Sequence, residues 1–489
     1  MIRVNCKSQM ATPAGISPRD QATDIVRRLH AAGHTAFWVG GCVRDYLLGR
    51  EPGDYDVATS ALPEQIEKLF KHTVAVGRKF GVMIVVEGDH QFQVATFRAE
   101  ADYRDGRHPE RVTFGDAMAD ARRRDFTVNG LFYDPVAATL HDWVGGEADL
   151  RARIIRTIGS PEERFAEDHL RLLRAVRLAA QLDFQIEPQT FAALKTNRAK
   201  IQAISAERIR DELIKLFNPP KDCSAGLRPG LIRAQQPAGS ETGAPPSEGG
   251  TPNGRCAARG LELLRDSGLL EHILPEISAT IGCQQSPDYH PEGDVFAHLC
   301  LMLRHLPADA DASLPWAVLM HDVAKPLTSS HDPKTGSIHF YEHEKVGAQM
   351  AGQILERLRF PRKQIEEIAA AVRYHMQFKD APQMRKSTLR RMLLRDSFPL
   401  ELELHRLDCF GSHGQLDIYD FFVEQAAELA KQPQIRPPLL TGEELLALGM
   451  KPGPALGALL NEIREKQLQD ELKTPAEALE WAKARITTG

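Results

Sequence analysis

The spacing of apolar positions changes character once along the chain. Gln21 to His30 repeats apolar residues at the helical period, and Thr35 to Val39 is a short apolar run that suits a strand. Leu62 to Phe70, opened by Pro63-Glu64, reads as a helix; Val82 to Val86 and Phe92 to Phe97 read as strands separated by a Gly88-Asp89 turn. Strand signals end at Ile154 to Ile158, and beyond Pro161 the periodic stretches are helical. The pattern predicts an α+β protein, a mixed-sheet head followed by an all-helical remainder.

Two stretches break the periodicity. Ala101 to Phe114 alternates Asp, Arg and Gly, as a mobile surface loop does, and Asn218 to about Arg255 is dominated by Pro, Gly and Ser, the composition of a flexible insert. The expected division is a loose leader 1–19, a head 20–160, a helical neck 161–217, the insert 218–258, a helical body 259–432 and a helical tail 433–489. In the tail, Gly453-Pro454 is expected to open a helix.

Composition narrows the class. The 489 residues suffice for two to four domains, and 42% hydrophobic content is ample for packed cores. A net charge of -5 gives no global nucleic-acid signature, so any RNA contact must come from local Arg clusters. The seven scattered cysteines include no CxxC pair, which argues for thiols in a reducing compartment over zinc knuckles or disulfides. With no secretory leader and no membrane-length apolar run, the expectation is a cytoplasmic protein with no membrane attachment; no protein partner is implied.

The chemistry concentrates first in VGGCVRDYLLGREPGDYDVA, Val39 to Ala58, read as strand, Gly turn, short helix and second strand. On a strand, Asp54 and Asp56 project to one face, and two convergent carboxylates suit a hard cation such as Mg2+. Gly40-Gly41 at a helix start offers backbone N–H groups to an anion, so together the parts describe a site for a magnesium-bound phosphate. Further on, Arg122 to Arg124 are expected to precede a short apolar helix ending near Gly130. Within AEDHLRLLRAVRLAAQL, read as one helix, Asp168, Arg171 and Arg174 share a face, with Arg177 one step beyond. An Asp accepts from an exocyclic amine while an Arg donates to a ring nitrogen or carbonyl, a pattern that fits cytosine or adenine and fits guanine or uracil poorly.

The ordered set GGxVRDxLLG, DxD, RRDFTxN and EDxxRxxRAxR resembles the tRNA nucleotidyltransferase and bacterial poly(A) polymerase family, which extends RNA 3′ ends. The resemblance implies that Asp54 and Asp56 are catalytic and hold Mg2+, and that Gly40, Gly41 and Arg44 bind the triphosphate. It makes Arg124 a nucleotide contact braced by Asp125 and Asn129, and Asp168 and Arg171 the protein template for CTP and ATP. Arg174 and Arg177 are placed nearer phosphate or as structural support. The family usually carries Glu where this chain has Gln93, so the two aspartates must bear the metal role. The implied activity is addition of CCA to tRNA 3′ ends; a poly(A) polymerase, or an enzyme adding only CC or only A, shares these motifs.

A second constellation follows in VFAH, VLMHDVAKP, FYEHE, VRYH and HRLDCFG. A His-Asp pair inside a strongly apolar helix needs buried partners. The spacing resembles the HD-domain metal phosphohydrolases, and by that resemblance the metal ligands are His298, His321, Asp322, His343, His375 and Asp408, with Lys325 able to contact a phosphate. That implies a second divalent-metal site and leaves two roles open, an alternative activity, hydrolysis of RNA phosphate ends, or an all-helical body that grips RNA.

Overall fold

The computed structural model describes residues 16–99, 113–219, 250–286, 290–335, 337–379, 381–432, 435 and 437–487. The leader up to residue 15, nearly all of the loop 101–114 and the insert from 220 to 249 lie outside the described residues. The chain divides into two compact units, Met1–Glu248 with Arg259–Ile273, and Gly249–Ala258 with Leu274–Gly489.

The first unit is built on a seven-stranded mixed sheet. Its strands are β1 Ala36–Val39, β2 Val57–Thr59, β3 Thr73–Gly77, β4 Val82–Glu87, β5 His90–Thr96, β6 Phe132–Asp134 and β7 Thr139–His141, in the order β3-β4-β5-β2-β1-β6-β7. Strands β2 and β5 pair in parallel, and the other neighbours are antiparallel. Strand β1 is buried on both faces. One face places Trp38 against Tyr55, Tyr133 and Tyr46 at 4.8, 5.8 and 5.9 Å; the other places Phe37 beside Phe97 and Phe132. Alternation along four residues thus anchors both layers of the head.

Helices α1 Pro18–Ala31, α2 Gly41–Leu47, α3 Pro63–Leu69, α4 Ala117–Arg122 and α5 Gly146–Ala152 belong to the sheet region, followed by α6 Pro161–Glu167, α7 Leu170–Leu182, α8 Pro188–Asn197 and α9 Ala206–Phe217. Helix α1 starts inside the expected leader because Ser17 caps it, its Oγ accepting from the Asp20 amide at 3.1 Å.

Four local expectations are corrected. Asp54 and Asp56 precede β2 and do not ride on it. The backbone is nonetheless paired there, with the Val39 amide donating to the Asp56 carbonyl at 3.0 Å. Tyr55 turns into the Trp38 cluster, while Asp54 is exposed and Asp56 partly buried. Arg122 ends α4, and the apolar run behind the Arg triplet is a single tight turn, Thr127–Asn129. The long neck helix is broken at Asp168, whose backbone is extended at φ -144° and ψ 105° and whose Oδ1 accepts from the Leu170 amide at 3.0 Å. A short acceptor side chain there competes for the first amides of α7 and restarts the helix.

The fourth correction is at the end of the insert. A helix already runs from Pro252 to Asp266, with Thr251 Oγ1 accepting from the Gly254 amide at 2.9 Å. Residues from Arg259 to Ile273 also fall in the first unit, not with the later body. Arg259 pairs with Asp183 and donates to the Phe184 carbonyl at 2.7 Å, and Gly260 lies so near Leu216 that a Cβ would sit 2.6 Å from its Cδ1.

Among the described residues the second unit is helical apart from the hairpin Ser329–His331 and Ile338–Phe340. Its tail helices Gly442–Ala447, Pro454–Leu468 and Pro475–Thr487 close around Leu445, Leu459, Ile463 and Ala482. No helix among the described residues is long and apolar enough to cross a membrane.

Tyr55 is the anchor between the two carboxylates: it is 2% exposed, and its hydroxyl donates to Glu51 at 3.1 Å. Tyr55→Ala is expected to cost about 3 kcal/mol of stability, and Tyr55→Phe about 1 kcal/mol or less. Urea unfolding midpoints of the two variants check both values.

Candidate active site

Gly40 sits at φ +76°, where a side chain is strained, and a Cβ there would lie 2.9 Å from Arg124 Nη1. Glycine therefore lets the turn before α2 and the guanidinium meet. They open a cavity of about 330 Å3 lined by Gly40, Gly41, Asp56, Arg124, Asp125, Asn129, Asp168, Arg171 and Arg174, together with Arg123, Leu170 and Arg208. Most residues singled out in the first half of the sequence thus reach one place.

Each guanidinium there is held by an acidic side chain. Arg124 donates to Asp120 Oδ2 at 3.0 Å and lies 5.0 Å over the Phe132 ring. Asp120 is 1% exposed and also accepts from Arg123. Arg174 donates to Asp125 Oδ2 at 2.9 Å, and Arg171 pairs with Glu167 and donates to the Arg164 carbonyl at 3.0 Å. Burial alone would raise the Asp125 carboxyl; the charge and hydrogen bonds of Arg174 outweigh it and hold the group well below the usual carboxylate range.

The bracing differs from the expected scheme. Asp125 serves Arg174, not Arg124, and Asn129 accepts from Arg44 at 2.6 Å while donating to Asp125 at 3.2 Å. Arg44 lies behind the cavity, bonded also to Asp45, where a Cβ on Gly41 would meet its Nη2 at 3.5 Å. Arg177 is not among the lining residues; it is bound to Glu212 and Gln181. Asp168 and Arg171 both line the cavity, yet the partner of Asp168 is Arg208, 2.9 Å away.

Sequence reasoning missed Asp120, whose signal was its spacing of three and four residues from Arg123 and Arg124. It missed Arg208 for want of any local signal, since 40 residues separate it from Asp168.

Asp54 is exposed and Asp56 partly buried. Burial, then the neighbouring Asp54 charge, pushes Asp56 up to about 6 against the opposing pull of Arg124. Two carboxylates whose negative charge is under-compensated form an all-oxygen donor set, which fits a hard divalent cation. Gln93 lines a smaller cavity of about 160 Å3 together with Asp56 and Arg124, so the position where a third carboxylate is expected does adjoin Asp56.

In the second unit the six expected ligands fall into two adjoining groups of three, His298, His321 and Asp408, and Asp322, His343 and His375. His298 Nε2 is 3.1 Å from Asp408 Oδ1, and His321 Nε2 is 3.1 Å from Asp322 Oδ2. His343 Nε2 is 3.5 Å from Asp322 Oδ1 and 3.2 Å from His375 Nε2. The Nδ1 atoms of His321, His343 and His375 face the carbonyls of Val318, Phe340 and Val372 at 2.8, 2.9 and 2.7 Å. A carbonyl can only accept, so each Nδ1 carries the proton and each Nε2 turns a lone pair to the centre, the tautomer a metal needs. Buried His321 Nε2 makes no hydrogen bond, as a metal-binding nitrogen should.

His298 differs in that its Nδ1 meets Glu292 Oε1 at 2.6 Å. Burial would lower this imidazole, but Asp408 and Glu292 raise it to about 9. Lys325 contacts Asp322 Oδ2 at 2.7 Å and Gln285 Oε1 at 2.6 Å. Glu292, His290 and Gln285 were not anticipated; the run His290-x-Glu292 ahead of His298 was the available signal.

Residues 36–156 match the family described as the poly A polymerase head domain, residues 183–221 the family "Probable RNA and SrmB- binding site of polymerase A", and residues 294–403 the HD domain. The CCA-adding enzyme of Staphylococcus aureus strain MRSA252 is 47% identical over 199 residues, 40% of this chain and 50% of that protein. The matched stretch thus spans about half the length of such curated relatives. The Bacillus stearothermophilus CCA-adding enzyme in complex with CTP superposes over 96% of this chain and 98% of its own, with TM-score 0.68 and 26% identity. A CCA-adding enzyme solved as a complex with ATP shares the fold at 19% identity and TM-score 0.54, over 96% of each chain.

If the head binds a cation through Asp56, the raised carboxyl sets the pH dependence of that binding. A cation must displace the proton, so affinity is expected to be flat above about pH 7 and to fall about tenfold per pH unit well below 6. Titration of the protein bearing His321→Ala with Mn2+, followed by electron paramagnetic resonance between pH 5 and 8, measures this with the other cluster disabled.

Proposed function

We propose that this chain, whose residues 36–156 match the poly A polymerase head domain, is a template-independent nucleotidyltransferase that adds CCA to tRNA 3′ ends from CTP and ATP. The observation that carries the reading is the single cavity shared by Asp56, the Gly40-Gly41 turn, Arg124, and the pair Asp168 and Arg171. A nucleotide needs a cationic cradle for its phosphates, a carboxylate near the α-phosphate and a hydrogen-bonding edge for its base; that set lines one wall system here. The similarity to CCA-adding enzymes, including one solved with CTP, supports the same reading.

In the proposed mechanism Asp54 and Asp56 hold Mg2+. The ion, when bound, lowers the pKa of the primer 3′-hydroxyl and neutralises charge on the phosphates. The Gly40-Gly41 turn and Arg124 receive the triphosphate, with the positive charge of Arg44 behind Gly41 and that of Arg174 beside Asp125. The 3′-oxygen attacks the α-phosphorus, the bond to the β-phosphate oxygen breaks, and pyrophosphate leaves. Asp168 accepts from the exocyclic amine of cytosine or adenine, and Arg171 donates to the same edge. Arg177, tied to buried Glu212, stiffens α7 against α9.

A second activity has its own observation. Three histidines with Nε2 turned inward around Asp322, with Lys325 alongside, suit a divalent-metal phosphohydrolase acting on RNA phosphate ends.

The two readings separate by mutation. Losing even an outer partner of a metal ligand costs about 10–100-fold, so Asp54→Ala with Asp56→Ala is expected to reduce labelled CMP incorporation into tRNA by more than about 100-fold. The same variant should retain hydrolysis of a 2′,3′-cyclic nucleotide in the presence of Mn2+, and His321→Ala should do the reverse. Incorporation that survives the double aspartate change rules out the head as the polymerising site.

A further inference from the structure

The carboxylate of Asp168 has its two oxygens assigned. Oδ1 accepts from the Leu170 amide at 3.0 Å, which pins it to the start of α7, and Oδ2 accepts from Arg208 Nη2 at 2.9 Å. Arg171, the other residue expected to read the base, is bonded elsewhere: to Glu167, to the Arg164 carbonyl at 3.0 Å and to the Arg123 carbonyl at 3.4 Å. Arg208 comes from α9, lines the same cavity, and has a buried Nη1 with no hydrogen-bond partner.

We propose that Arg208 is a positioning residue for base selection: by holding Asp168 as an oriented acceptor, it makes the site choose amino bases over oxo bases. The proposal rests on the reading of Asp168 as the base-facing carboxylate. Each carboxylate oxygen has two acceptor sites, so after serving Leu170 and Arg208 each retains one. Those remaining sites attract the amine of cytosine or adenine and repel O4 of uracil or O6 of guanine. A carboxylate without Arg208 can rotate about its side chain, and that freedom admits the oxo bases. Arg208 thus acts across the neck, with α9 setting the edge that α7 presents.

The test is steady-state incorporation of CTP, UTP, ATP and GTP, each alone, into tRNA transcripts ending at the discriminator base or after CC. Arg208→Ala is expected to raise KM for CTP by about tenfold, the scale of one charge-assisted hydrogen bond, and to lower the CTP-over-UTP ratio of kcat/KM at least as much. At saturating CTP, kcat should stay within about threefold of the parent. Arg208→Lys, which keeps the charge, should restore part of the selectivity. In a double-mutant cycle with Asp168→Asn the two changes should not add, because one acts through the other.

Additive effects, or a fall in kcat with selectivity unchanged, would assign Arg208 to packing alone and overturn the proposal. The reading beneath it has a separate control: if Asp168→Asn itself leaves CTP-over-UTP selection intact, Asp168 does not read the base. Loss of selection in Asp168→Asn but not in Arg208→Ala removes Arg208 only.

Discussion

Positive charge crowded around one cavity has to be held against its own repulsion, and the head and neck are arranged to do so. Asp120 holds Arg123 and Arg124, Asp125 holds Arg174, Glu167 holds Arg171 and Arg164, and Glu212 holds Arg177. Asp120, Asp125 and Glu212 are 8% exposed or less, so each relies on its arginine as much as the arginine relies on it. The Asp125–Arg174 pair joins the turn after α4 to α7, which fixes the helical neck to the sheet. A chain of net charge -5 can in this way present a local cationic cradle.

The two clusters use different means to fix their ligands. In the head, Asp54 and Asp56 flank Tyr55, which is packed against Trp38, and the pair offers oxygen donors only. In the second unit, three imidazoles are aimed by backbone carbonyls, and His298 by the carboxylate of Glu292. Oxygen donors and mixed nitrogen and oxygen donors suit different cations.

How much of this was legible in the sequence follows from the range of each interaction. The β1 strand, the Gly turn and the strands β4 and β5 were readable because alternation and turn residues act over a few positions. The six histidine and aspartate positions of the second cluster were readable from motif order, and the structure gathers them. The break at Asp168 was not, because apolar spacing continues through it and only the hydrogen bond to Leu170 marks the restart. The exchange of partners was not readable either: Asp125 with Arg174 and Asp168 with Arg208 are separated by 49 and 40 residues, and no local pattern encodes such pairings.

In the function proposed above, one cavity reads the base with protein side chains and joins the nucleotide to tRNA. Labelled CTP and ATP, offered separately and together with Mg2+ to transcripts ending at the discriminator base, after C and after CC, test it most directly. The account predicts two C additions from CTP alone, one A on the CC-ended transcript from ATP alone, and CCA followed by a stop when both are present. Open-ended A addition, addition of only CC or only A, or no incorporation at all would contradict it.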